Sequence, residues 1–234
     1  MLQCNLGRAI DEAVDLEVRS MTGNSSETVR LLEGAAKGDS AGWGSLVDRH
    51  RKRLRRLVAL RLDHRLQGRI DPSDVIQDAF LEAWSRLDGY MREPKMPFFL
   101  WLRFLVGQKL VTLHRHHLGA QMRDPALEVS LYQGTFPAAS SIALAAQLLG
   151  HDTRPSEAAM RAEMKIRLQD ALNAMDPVDR EVLALRHFEQ LSRGEAAFMI
   201  GISEATLSKR YFRALKRLKE VLANLPGGAG ELWP

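Results

Sequence analysis

A chain of 234 residues with 45% hydrophobic and 26% charged side chains can build one large or two small domains with ordinary cores, which excludes wholesale disorder and a disulfide mini-protein. The formal net charge is only +4, yet the pI is about 9.4 and the cations are clustered, as suits a polyanionic partner. The one cysteine, Cys4, closes no internal disulfide, and no segment approaches ~18 uninterrupted apolar residues, so a cytoplasmic protein with no membrane attachment is expected.

Apolar residues recur at three- and four-residue spacing along most of the chain while β-branched alternation is nearly absent, so the fold class is all-α. Residues 1–24 form an N-terminal extension of unknown role; Asp11, Glu12 and Asp15 interrupt any signal-peptide core, and Met21 is a second candidate start. The first helical domain spans 25–118. Within it 40–66 reads as one helix, and Asp71-Pro72 opens the next with a cap and a first-turn proline, to run until about Leu87. Pro94 and Pro97 make 90–97 a loop, after which the helical period resumes from Phe98 to Leu118. Residues 119–155, with Gly134, Pro137, Gly150 and Pro155, read as a flexible linker that encloses a short apolar helix at 142–149. The second helical domain covers 156–225, and a Gly-rich tail occupies 226–234.

The most informative pattern is Ala197-x-x-x-Gly201-Ile202-Ser203-x-x-Thr206-Leu207. A small residue where two helices cross, a glycine in the left-handed turn and a serine cap on the second helix are what a helix-turn-helix requires. Ser192 and Glu195 form a capping box for its first helix. On the second helix Leu207, Tyr211, Ala214, Leu218 and Val221 share one face, leaving Glu204, Ala205, Ser208, Lys209, Phe212, Arg213 and Lys216 outward for a DNA groove and its phosphates.

Two further clusters are less specific. Nine basic residues stand between Arg49 and Arg69 against the single acid Asp63, a run that fits either a solvated helix face or an anion nearby. The helix from Phe98 begins with Phe99, Trp101 and Phe104 and ends in Arg115 and its flanking histidines; most of these aromatics are expected in the core, although aromatics beside a proline-rich loop and a basic face are also what stacks unpaired bases. No acidic or cysteine ligand follows His114, His116 and His117, and neither a Gly-rich phosphate loop nor a nucleophile elbow occurs, so no catalytic residue, metal or cofactor is expected and the chain reads as a non-enzyme.

The segment from Asp71-Pro72-Ser73-Asp74 to Ala83-Trp84 resembles the region 2 helix of extracytoplasmic-function sigma factors, and the helix-turn-helix with Met175-Asp176-Pro177-x-x-Arg180-Glu181-Val182 before it resembles their region 4. The resemblance implies a two-domain initiation factor whose partners are core RNA polymerase, promoter DNA and, as a further candidate, an anti-sigma factor. It implies polymerase contacts at Asp74, Gln77, Asp78, Phe80 and Leu81. It implies −10 element contacts at Tyr90, Phe99, Trp101, Arg103, Gln108, Lys109 and Arg115, and −35 contacts at Arg193, Glu204, Ala205, Thr206, Ser208, Lys209, Arg210, Phe212 and Arg213. Two departures stand out. Gln108-Lys109-Leu110-Val111-Thr112 replaces the family's Asn-Leu-x-x-Asp, and Phe212 takes an outward position that is commonly polar. The competing reading is a dimeric helix-turn-helix regulator that needs no stoichiometric polymerase, although its usual α/β receiver has no strands to form it in the N-terminal half.

Overall fold

The computed structural model describes residues 25–118, 128–131, 134–149 and 158–223; the expected extension at 1–24, the tail at 226–234 and parts of the expected linker lie outside the described residues. The chain divides into two compact units, one formed by Met1–Arg55 with Ser73–Lys109 and the other by Arg56–Pro72 with Leu110–Pro234. Apart from one short hairpin, every regular element described is helical.

The first unit holds α1 (Ser25–Ala36), most of α2 (Ser40–Arg61), α3 (Pro72–Ser85), α4 (Leu87–Arg92) and the larger part of α5 (Phe98–Leu118). Gly38 turns the chain between α1 and α2 at φ +92, and the Asp39 carboxylate caps α2 by accepting from the Ala41 and Gly42 amides at 3.0 Å each. A Cβ at Gly42 would stand 2.6 Å from Asp39 Oδ2, so any larger residue there would shift the capping carboxylate. Leu46, Leu54, Ile76, Ala79, Leu100, Leu102 and Leu105 are buried at the centre. Trp43 lies against Phe80 and Phe98 edge-on, at 6.4 and 6.3 Å, an arrangement aromatic rings prefer to a face-to-face stack.

The expectation that no helix enters 90–97 needs correction. α4 continues through Tyr90 to Arg92, and the chain turns extended only at Glu93 (φ −145, ψ 79), because Pro94 restricts the residue before it and not those further back. α2 likewise stops at Arg61, short of Leu66; tight turns follow and Gly68 closes them at φ +85.

The second unit contains the end of α2, the end of α5, strands β1 (Glu128–Leu131) and β2 (Gly134–Pro137), α6 (Ser141–Leu149), α7 (Ala158–Asn173), α8 (Pro177–Leu183), α9 (Arg193–Ile200) and α10 (Glu204–Ala223). The strands pair antiparallel from Glu128 opposite Pro137 to Leu131 opposite Gly134, so part of the expected linker is a hairpin. α6 covers the apolar piece expected there. One core joins Leu60, Leu144, Ala145, Leu168, Leu172, Leu183, Phe188, Ala214 and Leu218. Asp176 caps α8, accepting from the Val178 amide at 2.8 Å, with Pro177 as first helical residue. The chain then widens into a π-helical turn, Ala184–Phe188, where the Glu189 amide reaches back five residues to the Ala184 carbonyl.

Candidate nucleic-acid interface

α9, its turn and α10 form a helix-turn-helix whose joint follows from local chemistry. Ser192 Oγ accepts from the Glu195 amide at 3.1 Å while the Glu195 carboxylate accepts from the Ser192 amide at 2.7 Å. Gly201 sits at φ +73, ψ 35, and its amide closes α9 on the Ala197 carbonyl at 2.9 Å. Ser203 Oγ then accepts from the Thr206 amide at 3.2 Å and starts α10.

Leu207, Ala214 and Leu218 are buried beneath α10, with Tyr211 half-buried beside them. At ~100° per residue the opposite face carries Ala205, Lys209, Phe212, Arg213 and Lys216, all exposed. Phe212 is 71% exposed, the most open large apolar side chain described, on a surface otherwise made of cations and small residues. Glu204, Thr206 and Ser208 are also exposed; the Ser208 hydroxyl donates to the Glu204 carbonyl at 2.9 Å. Arg193 and Glu204 pair at 2.5 Å across the start of the two helices, in an exposed setting where such a bridge contributes little stability.

Sequence reasoning passed over Asp179. It lies in the first turn of α8, where an acid is accounted for by the helix dipole, yet it is buried and is gripped by Arg210 and Arg213 of α10. Arg210 is half-buried and also reaches Asp176 at 3.3 Å.

In the first unit, Asp74, Gln77, Asp78 and Leu81 share one exposed face of α3, and Leu81 is 63% exposed. Phe80 departs from the expected surface role: it points inward against Trp43, because its position belongs to the buried stripe of Ile76, Ala79 and Ala83.

The aromatic start of α5 is split between core and surface. Phe99 is buried, with the Arg53 guanidinium 3.6 Å above its ring. Trp101 is half-buried and stacks on Tyr90 at 4.5 Å and 18°, while the Tyr90 hydroxyl donates to the Met96 carbonyl at 3.0 Å. The proline loop is thereby tied to the helix that follows. Burial pushes the Tyr90 phenol well above its ordinary range, so it stays a neutral donor.

Arg103 also departs from expectation. It is fully buried: from Phe98 to Gly107 α5 carries no other charged residue, and Leu100, Leu102, Leu105 and Val106 around Arg103 are buried with it. Lys109 is held by Glu82 at 2.6 Å, whereas Gln108 and Arg115 are exposed. In the second unit His114 Nε2 accepts from the Asp63 amide at 3.2 Å, and burial lowers its pKa, so the ring is the neutral acceptor.

A family model described as "Sigma-70, region 4" matches residues 165–218. Over 204 residues the chain is 30% identical to "RNA polymerase sigma factor CnrH" of Cupriavidus metallidurans, a match spanning 85% of this chain and 96% of that protein. Over 196 residues it is 28% identical to "RNA polymerase sigma factor NccH" of Alcaligenes xylosoxydans xylosoxydans, with 82% and 92% covered. A solved structure titled "Structure of CnrH in complex with the cytosolic domain of CnrY" matches at a TM-score of 0.49 and 24% identity, over 84% of this chain and 97% of that one. Among the described residues no helix is long and apolar enough to cross a membrane.

Proposed function

Because the chain belongs to the RNA polymerase sigma factors of the extracytoplasmic-function type and so directs transcription initiation by core polymerase, we propose that three of its surfaces divide the work. The exposed α3 face docks on polymerase, the Tyr90–Trp101 platform with the exposed side of α5 opens and reads the −10 element, and α10 reads the −35 element. The observation that carries this reading is the composition of the α10 face, cationic and capped at its start by Ser203. The alternative of an independent dimeric regulator is not favoured, since relatives matched over nearly their whole length are sigma factors.

Asp74, Gln77, Asp78 and Leu81 offer two carboxylates, an amide and one apolar contact on a single helical face, a set that complements a basic, partly apolar protein surface. Asp74→Arg combined with Gln77→Ala reverses a charge and removes an amide at exposed positions, so the fold should stand while affinity for core polymerase falls at least about tenfold. Titration of labelled polymerase with the double mutant measures it, and undiminished binding would refute the docking face.

Melting a few base pairs costs several kcal/mol, which flipped bases and phosphate contacts can offset without ATP once polymerase holds the factor. Of the −10 set in the first unit, Tyr90, Trp101 and Gln108 are the residues proposed to meet DNA, with buried Phe99 and Arg103 supporting them from the interior; Arg115, exposed, belongs to the second unit. On α10, Lys209→Ala should cost about 1–3 kcal/mol at one base pair if the lysine reads a base edge. Binding of promoter variants at several salt concentrations checks this; a loss that is equal on every sequence would place Lys209 on a phosphate instead.

A further inference from the structure

Asp179 has a side chain only 4% exposed, and a carboxylate so placed must be paired. Arg213 donates to it from Nε to Oδ2 at 2.5 Å and from Nη2 to Oδ1 at 2.8 Å, and Arg210 donates from Nη1 to Oδ1 at 2.7 Å. Burial alone would raise this carboxyl, but the hydrogen bonds and charge of Arg213 and Arg210 hold it below the usual carboxylate range, and it is therefore an anion at neutral pH.

Arg213 nevertheless remains 62% exposed. A guanidinium gripped along its Nε–Nη2 edge keeps its Nη1–Nη2 end free, and that end is the planar fork that matches the two acceptors of a guanine in the major groove. Arg213 also lies on the same outward face as Lys209, Phe212 and Lys216. Arg210 is rotated toward the buried side and is shared with Asp176, so its fork is less open.

We propose that Asp179 is a positioning residue for DNA recognition, holding Arg213 side-on so that the free end of its guanidinium is presented, already ordered, to a guanine edge in the −35 element. The inference rests on the reading of α10 as the −35 helix. Its physical content is that the rotamer entropy of a long side chain is lost on folding rather than on binding, so more of the contact appears as discrimination. Asp179 itself touches no base.

The test uses the full-length protein assembled with bacterial core RNA polymerase, selecting from a duplex library randomised over the −35 region. The unmodified protein should enrich guanine at a position where Arg213→Ala loses that enrichment by about tenfold. Arg213→Lys keeps the charge, lacks the fork and should lose the same enrichment. Asp179→Asn should lose it at that position too, and should add no further loss on the Arg213→Ala background, since one residue acts through the other.

Uniform weakening by Asp179→Asn on all sequences, or an unchanged profile, overturns the inference, because a merely structural role predicts those results. Should Asp179→Asn fail to fold, Arg213→Lys decides, and retained guanine enrichment overturns the proposal. If Arg213→Ala leaves the profile intact while Lys209→Ala alters it, the inference fails and the −35 reading survives; if neither alters it, both fail.

Discussion

Replacing Arg61 by alanine should destabilise the second unit by about 3–5 kcal/mol, the cost of stripping one partner from a buried ion cluster. Arg61 is fully buried at the end of α2. It donates from Nε to Glu189 at 2.7 Å, from Nη2 to Glu181 at 2.5 Å and from Nη1 to the Pro137 carbonyl at 2.6 Å. Burial opposes its charge, but Glu181 and Glu189 outweigh that and hold the guanidinium firmly protonated. Arg61→Ala removes the cation shared by two buried carboxylates and the Nη1 donor to the Pro137 carbonyl. Urea unfolding followed by circular dichroism, with hydrogen exchange at α8 and α9 amides to assign the loss to this unit, measures the effect. A triple replacement, Arg61→Met with Glu181→Leu and Glu189→Leu, should recover most of it, since matched apolar packing often equals a buried ion cluster. A change below about 1 kcal/mol in Arg61→Ala would mean that water reaches the cluster.

Local chemistry was legible in the sequence, and distant pairing was not. Ser192 with Glu195, Asp176 with Pro177, and Gly201 each act within a few residues, so the caps and joint of the helix-turn-helix follow from spacing alone. Arg61 looked like one more cation in a basic run because its two carboxylates lie 120 and 128 residues away in the chain. The option of a nearby anion was open in that run; its identity needed the fold. Asp179 was hidden differently, since a first-turn acid already has an explanation, and only the packing of α10 on α8 brings Arg210 and Arg213 to it.

The same distinction separates the candidate contact residues. Asp74, Gln77, Asp78, Lys209 and Phe212 are exposed where helical rotation puts them. Phe80, Phe99 and Arg103 are inside, because family position says which residues surround an interface and not which of them form its outer layer. For Arg103 the charge misled, as no other charged residue stands between Phe98 and Gly107 and most of that stretch of its helix is buried.

Acid should weaken the first unit through His50, and the sign follows from where its proton is held. The ring is buried between Phe98 at 5.6 Å and Phe99 at 5.5 Å, and its Nε2 has no hydrogen-bond partner among the described residues. Burial first, and then the charges of Arg53 and Arg49, lower its pKa from 6.5 to about 4. The unfolded chain therefore takes up the proton more readily than the folded one, so the stability tied to neutral His50 is complete above pH 6.5. It declines as pH falls from there and is lost by about pH 4. A difference of 2.5 pH units (6.5 − 4) at ~1.4 kcal/mol each sets the scale at about 3–4 kcal/mol. Trp43, Trp84 and Trp101 all belong to the first unit, so with the fourth tryptophan replaced, Trp233→Phe, fluorescence during urea unfolding at pH 4–8 reports this event. Carboxylates protonate over part of the same range, and comparison with His50→Leu cancels their contribution: the mutant should lack this component of the acid loss. Parallel stability curves for the two proteins down to pH 4 would show that His50 can be protonated in place, and so that the aromatic layer around it admits water.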